Sequence, residues 1–192
     1  EYLDAYLPGE TVYEVVAVTM SADGQHAVFS AVKREAGSFL RTSRRSHAEL
    51  TPEPPESVCL LVLHISTGAI LSAGAQGVET VTALSFDPGT RRMLWARQDR
   101  LELWDLDGGR RLALLPGHSD EVNAVAFNRD GTRAFSCARD RSVRVWSLPQ
   151  GECLASFTAD AALQSLALSP DDSSIAVGDV AGRVHFLQLV GG

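Results

Sequence analysis

One stretch constrains this chain more than any other, residues 117–151, GHSDEVNAVAFNRDGTRAFSCARDRSVRVWSLPQG. A Gly-His pair opens it, and apolar residues alternate at Val122, Ala124 and Ala126 before Phe127. Asn128-Arg129-Asp130-Gly131 carries turn chemistry, because Asp-Gly tolerates the positive φ that a tight hairpin needs. Strand signals return at Arg133–Ala138, a short polar turn follows at Arg139-Asp140-Arg141, and Val143-Arg144-Val145-Trp146 reads as another strand. Pro149-Gln150-Gly151 closes the block, which reads as one complete four-stranded unit.

The rest of the chain falls into further copies of that unit, approximately residues 1–68, 69–109, 110–151 and 152–189. In the first copy, Glu1–Leu7 reads as an outer strand by analogy with Glu152–Phe157, followed by strands at Val12–Met20, Gln25–Val32 and Val58–Ile65. The second places strands at Ala69–Ala73, Thr80–Phe86, Arg92–Arg97 and Arg100–Leu106, and the fourth at Leu163–Leu168, Ser174–Gly178 and Arg183–Leu189. Asp23-Gly24, Asp130-Gly131 and Asp171-Asp172 recur at one place in the unit, which marks turns and not paired catalytic carboxylates. The first copy is lengthened by residues 33–57, basic at its start and rich in Pro and Glu at its end, which reads as a loop insertion. Short alternating strands at this spacing, with no helical period, specify an all-β fold.

The Gly-His opening, the turn Asp140 and the closing Trp146, with Ser147 where a second Asp normally stands, resemble a WD40 repeat. Leu103-Trp104-Asp105-Leu106 closes the second copy with the family's Trp-Asp, while Leu63-His64 and Leu187-Gln188 hold that place in the first and fourth. The resemblance covers essentially the whole chain, though unevenly, and implies a WD40-type β-propeller with four four-stranded blades in this chain. It also implies that His118, Ser136, Asp140 and Trp146 form a buried hydrogen-bonded tetrad. That reading replaces a hydrolase triad as the account of a Ser, a His and an Asp in one unit.

Four blades enclose too narrow a channel to close in the usual way, so closure is expected to need further blades upstream or a second copy. The chain opens Glu-Tyr-Leu-Asp with no initiator Met, which reads as a cut through a longer protein. Its 192 residues carry a net charge of −7, which argues against general binding to nucleic acid or an anionic membrane. No apolar run approaches the roughly 18–20 residues of a membrane span. Cys59, Cys137 and Cys153 each sit in an apolar strand pattern and read as buried free thiols, consistent with a cytoplasmic location. The five His residues show no ligand spacing, and neither a phosphate-binding loop nor a dinucleotide fingerprint is present. No cofactor or metal is expected.

What remains is surface. Resemblance to a propeller puts the loops entering each blade, and those joining its second and third strands, on one face. Asp99, Arg100, Asp120, Glu121, Arg139 and Arg141 map there, together with Arg41, Arg44 and Arg45 of the insertion. Arginine suits interface hot spots, so the expected role is a non-catalytic scaffold binding other proteins or peptides through that face. The ending Gly182-Arg183-Val184-His185-Phe186-Leu187 also resembles bacterial propellers at the sensor end of STAND/NACHT-type signalling ATPases. A hydrolytic propeller is disfavoured by small apolar inner-strand residues such as Ala83, Val122, Ala124 and Ala167.

Overall fold

A computed structural model describes residues 11–20, 26–35, 57–64, 70–72, 81–89, 92–106 and 110–189. These form four antiparallel sheets. The first contains β1 (Thr11–Met20), β2 (His26–Glu35), β3 (Ser57–His64) and β4 (Ile70–Ser72), hydrogen-bonded in that order. The second contains β5 (Ala83–Phe86), β6 (Arg92–Arg97), β7 (Arg100–Asp105) and β8 (Arg110–Leu115). The third runs β9 (Val122–Phe127), β10 (Arg133–Ala138), β11 (Ser142–Ser147) and β12 (Cys153–Thr158), and the last β13 (Leu163–Leu168), β14 (Ser174–Asp179) and β15 (Val184–Gln188). Strands β1, β5, β9 and β13 lie in succession side by side, so the sheets stack like blades about the line of their first strands.

Three points differ from the sequence reading. Sheets are offset from the copies by one strand: β8 opens the third copy but completes the second sheet, and residues 117–151 supply only β9–β11 of theirs. The fourth sheet accordingly has three strands among the described residues, not four, with β15 at its edge. The segment 1–7 lies outside the described residues. The insertion is also shorter than 33–57, since β2 continues through Glu35 and Lys33 pairs with Ser57. His26 opens β2 opposite His64.

In the second and third sheets, β6 and β10 are covered on both faces, which turns alternation into nearly unbroken burial. In β10, Ala134 and Ala138 pack toward the second sheet with Trp146, Leu94, Leu101 and Leu103. The intervening Phe135 and Cys137 pack toward the fourth with Val143, Leu163, Ile175 and Val177. Cys137 is buried, and burial pushes its thiol up to about 12, which makes it inert. Cys153 is exposed, against expectation, because β12 is the outermost strand and every residue in it is exposed. Cys59 lies in β3.

The turns anchor the strands and tie one sheet to the next. Asn128 Oδ1 accepts from the Arg133 backbone N–H at 2.8 Å, and Asp130 Oδ1 from that of Thr132 at 2.9 Å. Hydrogen bonds from Ser169 and Ser173 likewise hold Asp171 down to about 2. Across the second and third sheets, Arg92 donates to buried Asp87 at 3.0 Å and to the Gly131 carbonyl at 2.8 Å. Across the third and fourth, Asp172 accepts from the Arg129 N–H at 2.9 Å.

Gly131 has φ +69°, and a methyl group there would overlap both the Asp87 carboxylate and the Arg92 guanidinium. Gly131→Ala is therefore expected to lower stability by about 2 kcal/mol, combining left-handed strain with a displaced tie. Gly182, at φ +79° with nothing within 4 Å of an added carbon, isolates the backbone part, about 1 kcal/mol. Denaturant unfolding of the two alanine variants separates them, and equal losses would remove the tie from the account.

Candidate functional site

One end of the stack gathers the loop before β9 with the β6–β7 and β10–β11 turns. The β6–β7 connection is a two-residue hairpin, Gln98-Asp99, with Gln98 at φ 51°. The Val122 N–H donates to the Gln98 carbonyl at 2.7 Å, and the Thr82 hydroxyl to the Val122 carbonyl at 2.6 Å, so the second and third sheets meet beneath it. In the β10–β11 turn, Arg141 takes φ 70°, and the Arg139 N–H donates to the Glu121 carbonyl at 2.8 Å. Asn123 repeats the Thr82 device one sheet on, its amide donating to the Leu163 carbonyl at 2.6 Å.

Beneath the loops, His118 Nδ1 lies 2.9 Å from Asp140 Oδ2, and its Nε2 lies 2.7 Å from Ser136 Oγ. The Trp146 indole N–H donates to that same Ser136 oxygen at 2.9 Å. His118, Ser136 and Trp146 are buried. Asp140 also accepts from the N–H and hydroxyl of Ser142 and, through Oδ2, from the Ser119 N–H at 3.0 Å. Burial raises the Asp140 pKa, but these hydrogen bonds outweigh it and hold the carboxyl at about 2. His118 is shifted the other way from an ion-paired histidine: burial lowers its pKa and prevails over the neighbouring Asp140.

Two clefts flank the loop. One, of about 490 Å³, is bounded by Thr82, Gln98, Asp99, Ser119, Asp120 and Glu121. The other, of about 450 Å³, is bounded by Asn123, Arg139, Ala162, Gln164 and Val180. Glu121 and Arg139 form the ridge between them, joined at 2.9 Å. The geometry thus brings Asp99, Asp120, Glu121 and Arg139 together on one face. Arg100 and Arg141 are exposed at its margin, and Arg41, Arg44 and Arg45 lie outside the described residues.

Some polar groups carry no signal in the sequence pattern. Glu102 is buried, accepts from Trp104 Nε1 at 2.8 Å and sits 3.2 Å from Arg111. His185 pairs with buried Asp179 at 2.9 Å. Thr82 and Asn123 do have a signal in hindsight, since each stands 40 residues from its acceptor. Ala167, expected on an inner strand, lies on β13 and is exposed there. Among the described residues no three His, Cys, Asp or Glu side chains gather as a metal centre, and no helix is long and apolar enough to cross a membrane.

The profile of the family described as "WD domain, G-beta repeat" matches residues 109–147, the segment that carries the His118–Trp146 cluster. Residues 109–147 are a WD40 repeat. The chain is 29% identical over 110 residues to "Transcription factor unc-37" of Caenorhabditis elegans, covering 57% of this chain and 18% of that one. It is 27% identical over 166 residues to "Pre-mRNA-processing factor 17" of Mus musculus, covering 86% and 26% respectively. It is also 37% identical over 86 residues to "U3 small nucleolar RNA-associated protein 15 homolog" of Xenopus tropicalis, covering 44% and 17%. The chain therefore spans about a quarter or less of the length of these relatives. A chain from the crystal structure of the mitotic checkpoint complex superposes with a TM-score of 0.69 at 19% identity, covering 92% of this chain and 48% of that one. That likeness establishes the propeller-type fold. The ATPase-sensor reading finds no support in these comparisons.

Proposed function

We propose that this chain is a non-catalytic WD40 scaffold that binds a protein or peptide across its loop face. The supporting observation is the pair of clefts divided by the Glu121–Arg139 ridge, set on loops fixed by backbone hydrogen bonds to the sheets below. Such loops lose little conformational freedom on binding, so their contacts go into affinity and specificity. The charges alternate along the ridge, which favours a partner that presents complementary polar groups.

A catalytic reading has the distances of a Ser-His-Asp triad but lacks access. Ser136 has 0% exposure, and its oxygen already accepts the Trp146 N–H. No substrate carbonyl reaches it. One relative is named for pre-mRNA processing and another for association with a small nucleolar RNA, yet the net charge of −7 makes a protein surface the favoured contact over a phosphate backbone. A cytoplasmic site of action belongs to the same proposal.

The test compares affinity capture by the intact protein with capture by Asp120→Arg and Arg139→Glu. Both side chains are exposed, so melting temperatures are expected to stay within a degree or so, since surface changes stay within about 0.5 kcal/mol. Loss of the same set of bound proteins from both variants is the expected result. An unchanged set would place the interface elsewhere.

A further inference from the structure

The hydrogens of the His118 cluster have one consistent arrangement. With its carboxyl held at about 2, Asp140 is ionised near neutrality, and a carboxylate only accepts. The Ser142 hydroxyl donates to Asp140 Oδ1, so His118 Nδ1, 2.9 Å from Asp140 Oδ2 and 3.1 Å from Ser142 Oγ, faces two acceptors and carries the hydrogen it donates. In a neutral ring Nε2 is then a bare acceptor, so the Ser136 hydroxyl, 2.7 Å away, donates to it. The Ser136 oxygen in turn accepts from Trp146 Nε1. Every hydrogen in the series from Trp146 through Ser136 and His118 to Asp140 points the same way.

A second proton on the imidazole reverses one link. Nε2–H and the Ser136 hydroxyl would face each other as two donors at 2.7 Å. The hydroxyl hydrogen would have to turn away, in a residue with no solvent exposure on a middle strand already paired to β9 and β11. Asp140 Oδ2 links this event to the surface, because it binds both His118 Nδ1 and the Ser119 N–H. The loop that carries Asp120 and Glu121 is thus held at its start by the same oxygen that orients the imidazole.

We propose that His118 is a proton-sensitive latch for the 117–121 loop, holding it to the β10–β11 turn while neutral and releasing it when Nε2 is protonated. The charged groups facing the ring are Asp140 from that turn, Arg144 from β11 and Asp99 from the β6–β7 hairpin. Burial and Arg144 oppose the cation, the two carboxylates favour it, and burial is the largest influence. The folded-state pKa lies below the ordinary 6.5, so the latch is fully closed above 6.5 and opens as pH falls through the lower folded value. The latch stands on its own hydrogen-bond geometry, whatever binds the loop face.

The test is an NMR titration of the full chain labelled with nitrogen-15. His118 is expected as the Nδ1–H tautomer near neutral pH, with a midpoint below 6.5. Exchange protection of the Ser119 amide is expected to fall with that same midpoint, while the Val143 amide in β11 keeps its protection. Ser136→Ala removes the opposing hydroxyl and is expected to raise the His118 midpoint. An Nε2–H tautomer, a midpoint at or above 6.5, or Ser119 protection indifferent to the titration would each overturn the latch. If Ser136→Ala does not fold, the native titration decides alone.

Discussion

Trp146→Ala is expected to lower the unfolding free energy by about 4 kcal/mol, within the roughly 3–5 kcal/mol range for truncating a buried aromatic. The side chain is 0% exposed and packs between the second and third sheets with Leu94, Leu101 and Leu103. Its removal opens a cavity in that layer and also strips Ser136 of its donor. The His118 ring, 6.0 Å away edge-on, loses the surface against which it stands. For a domain of this size, about 4 kcal/mol corresponds to a fall in melting temperature of roughly 8–16 °C. Trp146→Phe keeps most of the apolar contact and loses only the N–H, so its expected loss is about 1–2 kcal/mol. Calorimetry or denaturant unfolding of both variants checks the order. A loss under about 1 kcal/mol for the alanine variant would mean the layer refills, which close packing between two sheets disfavours.

The ease of reading β9–β11 from sequence has a physical cause. Their turns carry residues whose side chains bond their own backbone, Asn128 and Asp130 at one end and Asp140 at the other. Those bonds fix the strand ends to particular positions, and the same residues are visible as a pattern of letters. The resemblance to a propeller implies one face for Asp99, Asp120, Glu121 and Arg139, and all four line the same pair of clefts. Glu102 gave no such signal. In β7, Leu101, Glu102 and Leu103 are all buried, so alternation cannot distinguish an inward carboxylate from an outward one. Cys153 failed for the opposite reason: its apolar strand is outermost and exposed throughout. The partnership of His185 with Asp179 needs the register of β14 on β15, which spacing along the chain does not supply.

Among its described residues the second sheet holds no cluster like that of His118, and its closing tryptophan turns to Glu102 instead. Ala134 faces Trp146 and Ser136 faces Arg144 across β10 and β11. In the same register Met93 faces Trp104 and Trp95 faces Glu102 across β6 and β7. Trp95 therefore stands where Ser136 does and offers no oxygen; it stacks on Trp104 instead, with ring centroids 5.3 Å apart. The Trp104 N–H turns to Glu102 at 2.8 Å, and the carboxylate is balanced by Arg111 at 3.2 Å and Arg97 at 3.7 Å. Glu102→Ala removes the acceptor and the only carboxylate that these distances place between the two guanidiniums. Breaking a buried ion pair from one side usually costs about 3–5 kcal/mol. Arg111 is half exposed and can turn to water, which brings the expected loss to about 3 kcal/mol. Glu102→Gln keeps an acceptor for Trp104 while discarding the charge, and about 1–2 kcal/mol is expected there. Added salt is expected to change neither value much, because a buried pair is poorly screened. Equal losses for the alanine and glutamine variants would assign the whole effect to charge, and the indole bond would then contribute nothing measurable.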